Sequence, residues 1–320
     1  METRHGHITT IRVCARCVES VDSCEYSQVS PTSLGKVTVQ PDSPTASKAG
    51  TALATFLQDA LCNSTELKKE SVKTVIKHLV NEERRLSKEN PEIPIMLNAA
   101  SDDKEYISAL DEWFHVAPMP LDKCVLANNE SRAYALKPPE DPKTMAMDFP
   151  VPEDEAQRLS SIEKGKLLDI GNADELNIIC TLAARELDCM FSLVSIMGQE
   201  QQTVLASNLE GLRTMTAPRN QTFCQHVLMD DKPLLVSHPE ADVRFANLQT
   251  LKHFDIKFYC GFPILDSSNA VVGTVCCLDT KSHDLSQSQY ATMKRLTDTA
   301  SKIVRLKSQE IAGKGAAGHW

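Results

Sequence analysis

Residues 258–279 read FYCGFPILDSSNAVVGTVCCLD. Two apolar runs flank the polar stretch DSSN, and that order predicts a β-hairpin. Gly261 and Gly273 fall mid-strand, where glycine marks a bulge or a close backbone approach. Pro263 has no amide hydrogen for a ladder, so its nitrogen must face an edge or a pocket. Cys276 and Cys277 are adjacent, so in an extended strand they face opposite sides and cannot both address one pocket. Cys260, Cys276 and Cys277 therefore read as small apolar side chains filling a sheet. A thiol in such a setting has a raised pKa and is inert.

Elements read outward from the hairpin fix the fold class. Upstream, AQRLSSIEKGKLLD is predicted helical and ends at Gly171. Asn172 is the predicted N-cap of the next helix, with Glu175 as its capping-box partner. Leu176, Ile179, Leu182, Ala183 and Leu187 make its buried stripe. Strands are predicted at 190–197 and 201–207, a helix at 222–229, a strand at 233–237 and a short helical turn at 241–247. Downstream, Ser286 caps a last helix with Gln289 at the capping-box position. Its Leu285, Tyr290, Met293, Leu296, Ala300, Ile303 and Val304 recur at helical spacing. Few strand–helix–strand units occur, so the expected class is α+β, a mainly antiparallel sheet with helices on its faces.

The first half differs in composition. Twelve of the 16 prolines fall in residues 1–152. Residues 27–50, rich in Ser, Thr and Pro, read as a disordered linker. Residues 51–152 read as a helical spacer and a proline-rich connector. Leu53, Phe56, Leu57, Ala60 and Leu61 share one helix face. Leu67, Val72, Val75, Ile76, Leu79 and Val80 share another, on a helix over 65–88 that ends before Pro91 and Pro94. A third helix is expected near 103–114. The main domain is placed at 153–310, followed by a flexible tail at 311–320.

Composition narrows the function. The 320 residues are 42% hydrophobic and 24% charged, with net charge −9. That charge does not suit a nucleic-acid coat. No run approaches the ~20 apolar residues that span a bilayer. Eleven cysteines, without a secretory leader in METRHGHITTIR, read as reduced thiols in a cytoplasmic protein.

The ordered motifs also resemble a family. TFCQHVLMDDKPLLVSHPEADVRF, then FYCGFPI, then VVGTVCCLD resemble the GAF domain, most closely the branch common in bacterial sensor kinases and related signalling proteins. The likeness runs over about 161–308. It implies a pocket between the sheet and its covering segments, for an unknown small ligand or as a partner surface. The pocket residues it implies are Phe223, Cys224, His226, Arg244, Phe245, Tyr259 and Cys260. Arg244 can pair bidentately with Asp242 or Asp279 to fix a turn. The signature of the cyclic-nucleotide binders and a bilin-attachment cysteine are both missing. The implied function is non-enzymatic regulation. The terminal helices 161–187 and 285–308 could pair between two subunits through exposed apolar residues.

Two alternatives stand beside that reading. One enzyme of this fold, the free methionine sulfoxide reductase, attacks the sulfoxide with a thiolate. Cys224 resembles one of its cysteines, but the segment FANLQTLKHFDIK holds no partner thiol. At the N-terminus, Arg-Val-Cys-x-x-Cys (Cys14, Cys17) resembles the closing ligand pair of a FYVE-type zinc finger. That implies zinc, an endosomal location and phosphatidylinositol 3-phosphate. The family's other ligands and its basic lipid-contacting patch are missing from 1–26. The segment is thus either a truncated remnant or a minimal zinc site with His5 or His7 and Cys24.

Overall fold

The computed structural model describes residues 38–42, 49–63, 67–87, 97, 102–114, 119–127, 134, 137, 139–141 and 145–317. The finger-like segment 1–26, with Cys14 and Cys17, lies outside these residues.

Three helices come first: α1 (Ala49–Cys62), α2 (Lys69–Ser87) and α3 (Asp103–Phe114). Then follow α4 (Glu155–Lys164), α5 (Asp174–Glu186), β1 (Phe191–Met197), β2 (Gln201–Ser207), β3 (Thr216–Pro218), β4 (Leu234–Val236), α6 (Gln249–Phe254), β5 (Phe258–Leu265), β6 (Val271–Asp279) and α7 (Gln287–Ala317). The six strands form one sheet in the order β3-β2-β1-β6-β5-β4, antiparallel throughout. This is the expected α+β architecture.

The hairpin β5–β6 lies within the sheet, and its residues divide between two cores. Cys260 pairs with Cys277 across the ladder. With Phe262 and Ile264 they join the core shared with α5 and α7. Tyr259, Cys276 and Leu278 join a second core, built with Phe223, Val227 and Phe245. The alternation of strand side chains produces that division. Gly273 lies opposite Ile196 of β1, and a Cβ there would fall on the Ser195 carbonyl oxygen. Pro263 lies past the end of β4, whose pairing with β5 stops at Gly261. Its missing donor therefore breaks no ladder on that side.

The spacer helices α1 and α2 pack on the domain. Leu57, Leu61, Val72, Ile76 and Leu79 bury in the same core as Ile178, Leu182, Ile303 and Val304. An amphipathic helix cannot bury its stripe alone, and α1 and α2 use α5 and α7 for that purpose.

Several boundaries differ from the sequence reading. The first domain helix stops at Gly165, and Gly171, at φ 65°, then turns the chain into α5. Asn172 is not the cap, because Ala173 holds that place without a side-chain bond. Asn172 Oδ1 instead accepts from Asn177 Nδ2 at 2.8 Å. The capping box of α7 forms as expected. Gln289 N donates to Ser286 Oγ at 3.3 Å, and Ser286 N donates to Gln289 Oε1 at 3.0 Å. The 222–229 helix is a 3₁₀ segment, Cys224–Met229. The linker reading fails at 38–42, where Gln40 bridges Ser286 and the Asp42 carboxylate accepts from Ser288 N at 2.9 Å. A carboxylate at a helix N-terminus is favoured by the macrodipole. At the other end α7 runs to Ala317, past the start of the expected tail. Glycine lowers helix propensity without forbidding a helix.

Candidate functional site

The second core holds most of the residues that sequence singled out. Phe223 enters the 3₁₀ segment and stacks on Phe245 and Tyr259, with ring centroids 5.0 Å away in both cases. His226 meets Phe245 edge-on at 5.0 Å. Arg244 follows Asp242 by two residues, and the carboxylate grips it in a fork. Nε donates to Oδ1 at 3.0 Å and Nη2 to Oδ2 at 2.6 Å. Burial works against the guanidinium's charge, but Asp242 outweighs it and holds the pKa above the ordinary arginine value. Of the two acids considered, Asp242 is thus the partner, while Asp279 pairs with His283 at 2.5 Å.

Cys260 does not join this group. It follows Tyr259 directly and so faces the helix-side core. Burial raises its thiol pKa, with Cys277 adding to the effect. Cys277 is likewise pushed up to about 12 by burial. For these two cysteines the packing reading holds.

Cys224 and Cys276 behave differently. Their Sγ atoms lie 3.6 Å apart, and both side chains are shielded from solvent. Gln202 Nε2 donates to Cys224 Sγ at 3.3 Å, and the Tyr259 hydroxyl donates to it at 3.4 Å. Gln202 Nε2 also donates to Ser195 Oγ at 2.7 Å, and Ser195 Oγ lies 3.1 Å from Thr274 Oγ1. The contact with Cys276 comes first, and with Thr274, Tyr259 and Gln202 acting in the same direction it outweighs burial and lowers the Cys224 pKa. Cys276 is shifted upward, first by its bond to Cys224 and then by burial. Sequence reasoning looked for a partner thiol near residues 245–257 and missed Cys276, which the sheet supplies from β6.

Tyr134 also escaped the sequence reading. The connector lies along the domain: Ala127 N donates to the Pro233 carbonyl at 2.9 Å, and the Tyr290 hydroxyl donates to the Val125 carbonyl at 2.9 Å. This path carries Tyr134 onto His226, where its hydroxyl is hydrogen-bonded to Nδ1. The two rings stack with centroids 5.7 Å apart. Tyr134 also hydrogen-bonds Arg244. Nothing local in sequence marks a contact that spans 92 positions.

Metal-ligating groups converge once among the described residues, at Cys189, Asp279 and His283, whose ligand atoms lie within 4.8 Å of one another. This trio sits at the end of β6. There the Asp279–His283 pair and Thr280 N, which donates to Asp279 Oδ1 at 2.7 Å, already use the carboxylate.

Residues 173–304 match the family model of the GAF domain. This segment is a GAF domain. GAF domains are generally ligand-binding or regulatory modules, and the six-stranded antiparallel sheet fits their architecture. Among solved structures, the chain is similar to the chromophore-binding domain of a bacteriophytochrome from R. palustris (11% identity, TM-score 0.37), with 50% of this chain and 65% of that one covered. It is also similar to a GAF domain from A. aeolicus described as in an inactive state (15% identity, TM-score 0.35), covering 48% and 98%. A third likeness is to the GAF domain of the Acinetobacter phosphoenolpyruvate-protein phosphotransferase (12% identity, TM-score 0.36), covering 48% and 93%. The chain thus spans under two thirds of the bacteriophytochrome domain. No curated protein matches the chain. Among the described residues no helix is long and apolar enough to cross a membrane.

Proposed function

We propose that the chain is a non-enzymatic regulatory protein whose GAF domain binds a small ligand in competition with its own connector. One observation carries this reading: Tyr134 sits on His226 and Arg244, the polar groups packed against Phe245 of the aromatic stack. A segment of the chain thereby holds groups that a ligand would need. A ligand that took those bonds would release the connector, and the altered surface would be the signal. A cytoplasmic setting fits the eight unpaired cysteines among the described residues.

Native mass spectrometry of the full chain purified from its own cells tests the reading. The expected result is a small-molecule adduct whose occupancy rises in Tyr134→Ala. An adduct-free chain in both forms would remove the ligand. A protein partner retained in its place would make the domain a docking module.

A further inference from the structure

We propose that Cys224 and Cys276 form an oxidisable dithiol, in which Cys224 reacts with a small hydroperoxide and Cys276 resolves the product. This goes beyond ligand binding and does not depend on it.

A neutral thiol gives one proton and accepts weakly. Here the side chains of Cys276, Tyr259 and Gln202 all lie within hydrogen-bond distance of one sulfur, Cys224 Sγ. Gln202 and Thr274 are themselves tied through Ser195, across β1, β2 and β6. A ring of donors held in place by the sheet suits a thiolate, which is the nucleophilic form of cysteine. The other buried cysteines are an internal contrast. Cys180, Cys260 and Cys277 lie in the helix-side core, and burial raises each of their pKa values.

The second element is the neighbouring thiol. The two sulfurs are 3.6 Å apart, and a disulfide needs about 2.05 Å. Both residues belong to the same core, so the sulfurs must close a gap of roughly 1.5 Å without changing sides of the sheet.

The chemistry balances without a further reagent. The Cys224 thiolate attacks one oxygen of the peroxide, an S–O bond forms, the O–O bond breaks, and hydroxide leaves. Cys276 then attacks the Cys224 sulfur, an S–S bond forms, and the S–O bond breaks. The second oxygen departs as water with the Cys276 proton. Two thiols give two electrons to one peroxide, which becomes two waters. Hydrogen peroxide is small and neutral, which suits a buried polar niche.

The test uses the full chain in reduced form with equimolar hydrogen peroxide, quenching with an alkylating agent and peptide mapping. The expected tryptic product links residues 220–244 to residues 258–281, and fragmentation assigns the bond to Cys224 and Cys276. Cys224 should be consumed about tenfold or more faster than the exposed Cys62. Cys276→Ser should stop at a sulfenic acid on Cys224 that a dimedone probe captures, and Cys224→Ser should leave Cys276 reduced. Both substitutions are near-isosteric, and circular dichroism checks folding. Because the rate comparison uses the unsubstituted chain, it stands even if a variant misfolds. Oxidation of Cys62 with Cys224 untouched, or Cys224 oxidation only after denaturation, overturns the proposal.

Discussion

Arg219 Nη1 donates to Glu155 Oε1 at 2.6 Å, although the two residues stand 64 positions apart. Arg158 takes the same carboxylate from the other side, with Nη2 to Oε1 at 2.8 Å and Nε to Oε2 at 2.9 Å. Both guanidiniums are buried, and Arg219 also donates to the Pro150 carbonyl at 3.1 Å. One carboxylate thus joins α4, the connector and the turn after β3. Burial works against its charge, but the two arginines outweigh it and hold its pKa below the ordinary value.

Glu155→Gln removes the one carboxylate that, among the described residues, binds both arginines, and it leaves two cations out of water. Breaking a buried ion pair in this way costs about 3–5 kcal/mol. Urea unfolding should show that loss at neutral pH. The depressed pKa means that Glu155 stabilises the fold above its unfolded pKa, and that this is lost as pH falls through the folded value. Exposed Lys68–Asp174 is the contrast, and Asp174→Asn should leave the midpoint unchanged. Equal effects from the two substitutions would show that the triad carries no special weight.

The Tyr134 hydroxyl is the second target. Tyr134→Phe keeps the ring but loses the bonds to His226 and Arg244. A hydrogen bond is worth about 1 kcal/mol net, so the connector should open several-fold more often while global stability barely changes. Hydrogen exchange at the Ala127 amide, which bonds the Pro233 carbonyl, reads this directly. Unaltered exchange there would mean that the connector is held by other contacts.

Glu186 sets a limit on alkaline stability. Burial on α5 raises its pKa to about 7, with Thr292 and Arg295 opposing the shift and Asp42 reinforcing it. A raised folded pKa gives stability that is full below the unfolded value of 4.5 and lost as pH rises through about 7. The loss is at most about 3 kcal/mol. Glu186→Gln should therefore raise the melting temperature at pH 8.5, with the difference shrinking toward pH 5. A difference independent of pH would place the effect in packing.

Most of the fold was legible because its signals are local. The stripes of α2, α5 and α7 and the hairpin around Asp266–Asn269 are patterns within a few turns of chain. The box at Ser286–Gln289 follows from two residue types at fixed spacing. Asn172 misled because its side chain serves Asn177 instead of the helix end. β3 and α6 are only three and six residues long, too short for a period to emerge. The site was legible in its aromatic and charged members, which the family motifs carry. Cys276 and Tyr134 were hidden because sheet register and connector path, both long-range, bring them to Cys224 and His226.

The geometry meets one requirement of a sulfoxide reductase and fails another. A partner thiol exists, since Cys276 stands 3.6 Å from Cys224. Access is the obstacle. Cys224 is 3% exposed and Cys276 0%, and free methionine sulfoxide is a zwitterion. Its carboxylate and ammonium would both have to leave water, which is costly without partners. The nearby cation, Arg244, is already gripped by Asp242. The full chain supplied with dithiothreitol and free methionine sulfoxide should therefore show no turnover above the thiol background, and Tyr134→Ala should not change that. Without dithiothreitol, the reduced chain should still consume hydrogen peroxide, neutral and smaller, once per dithiol. Sulfoxide turnover abolished by Cys224→Ser would make the domain an enzyme, and the regulatory reading would fall with it.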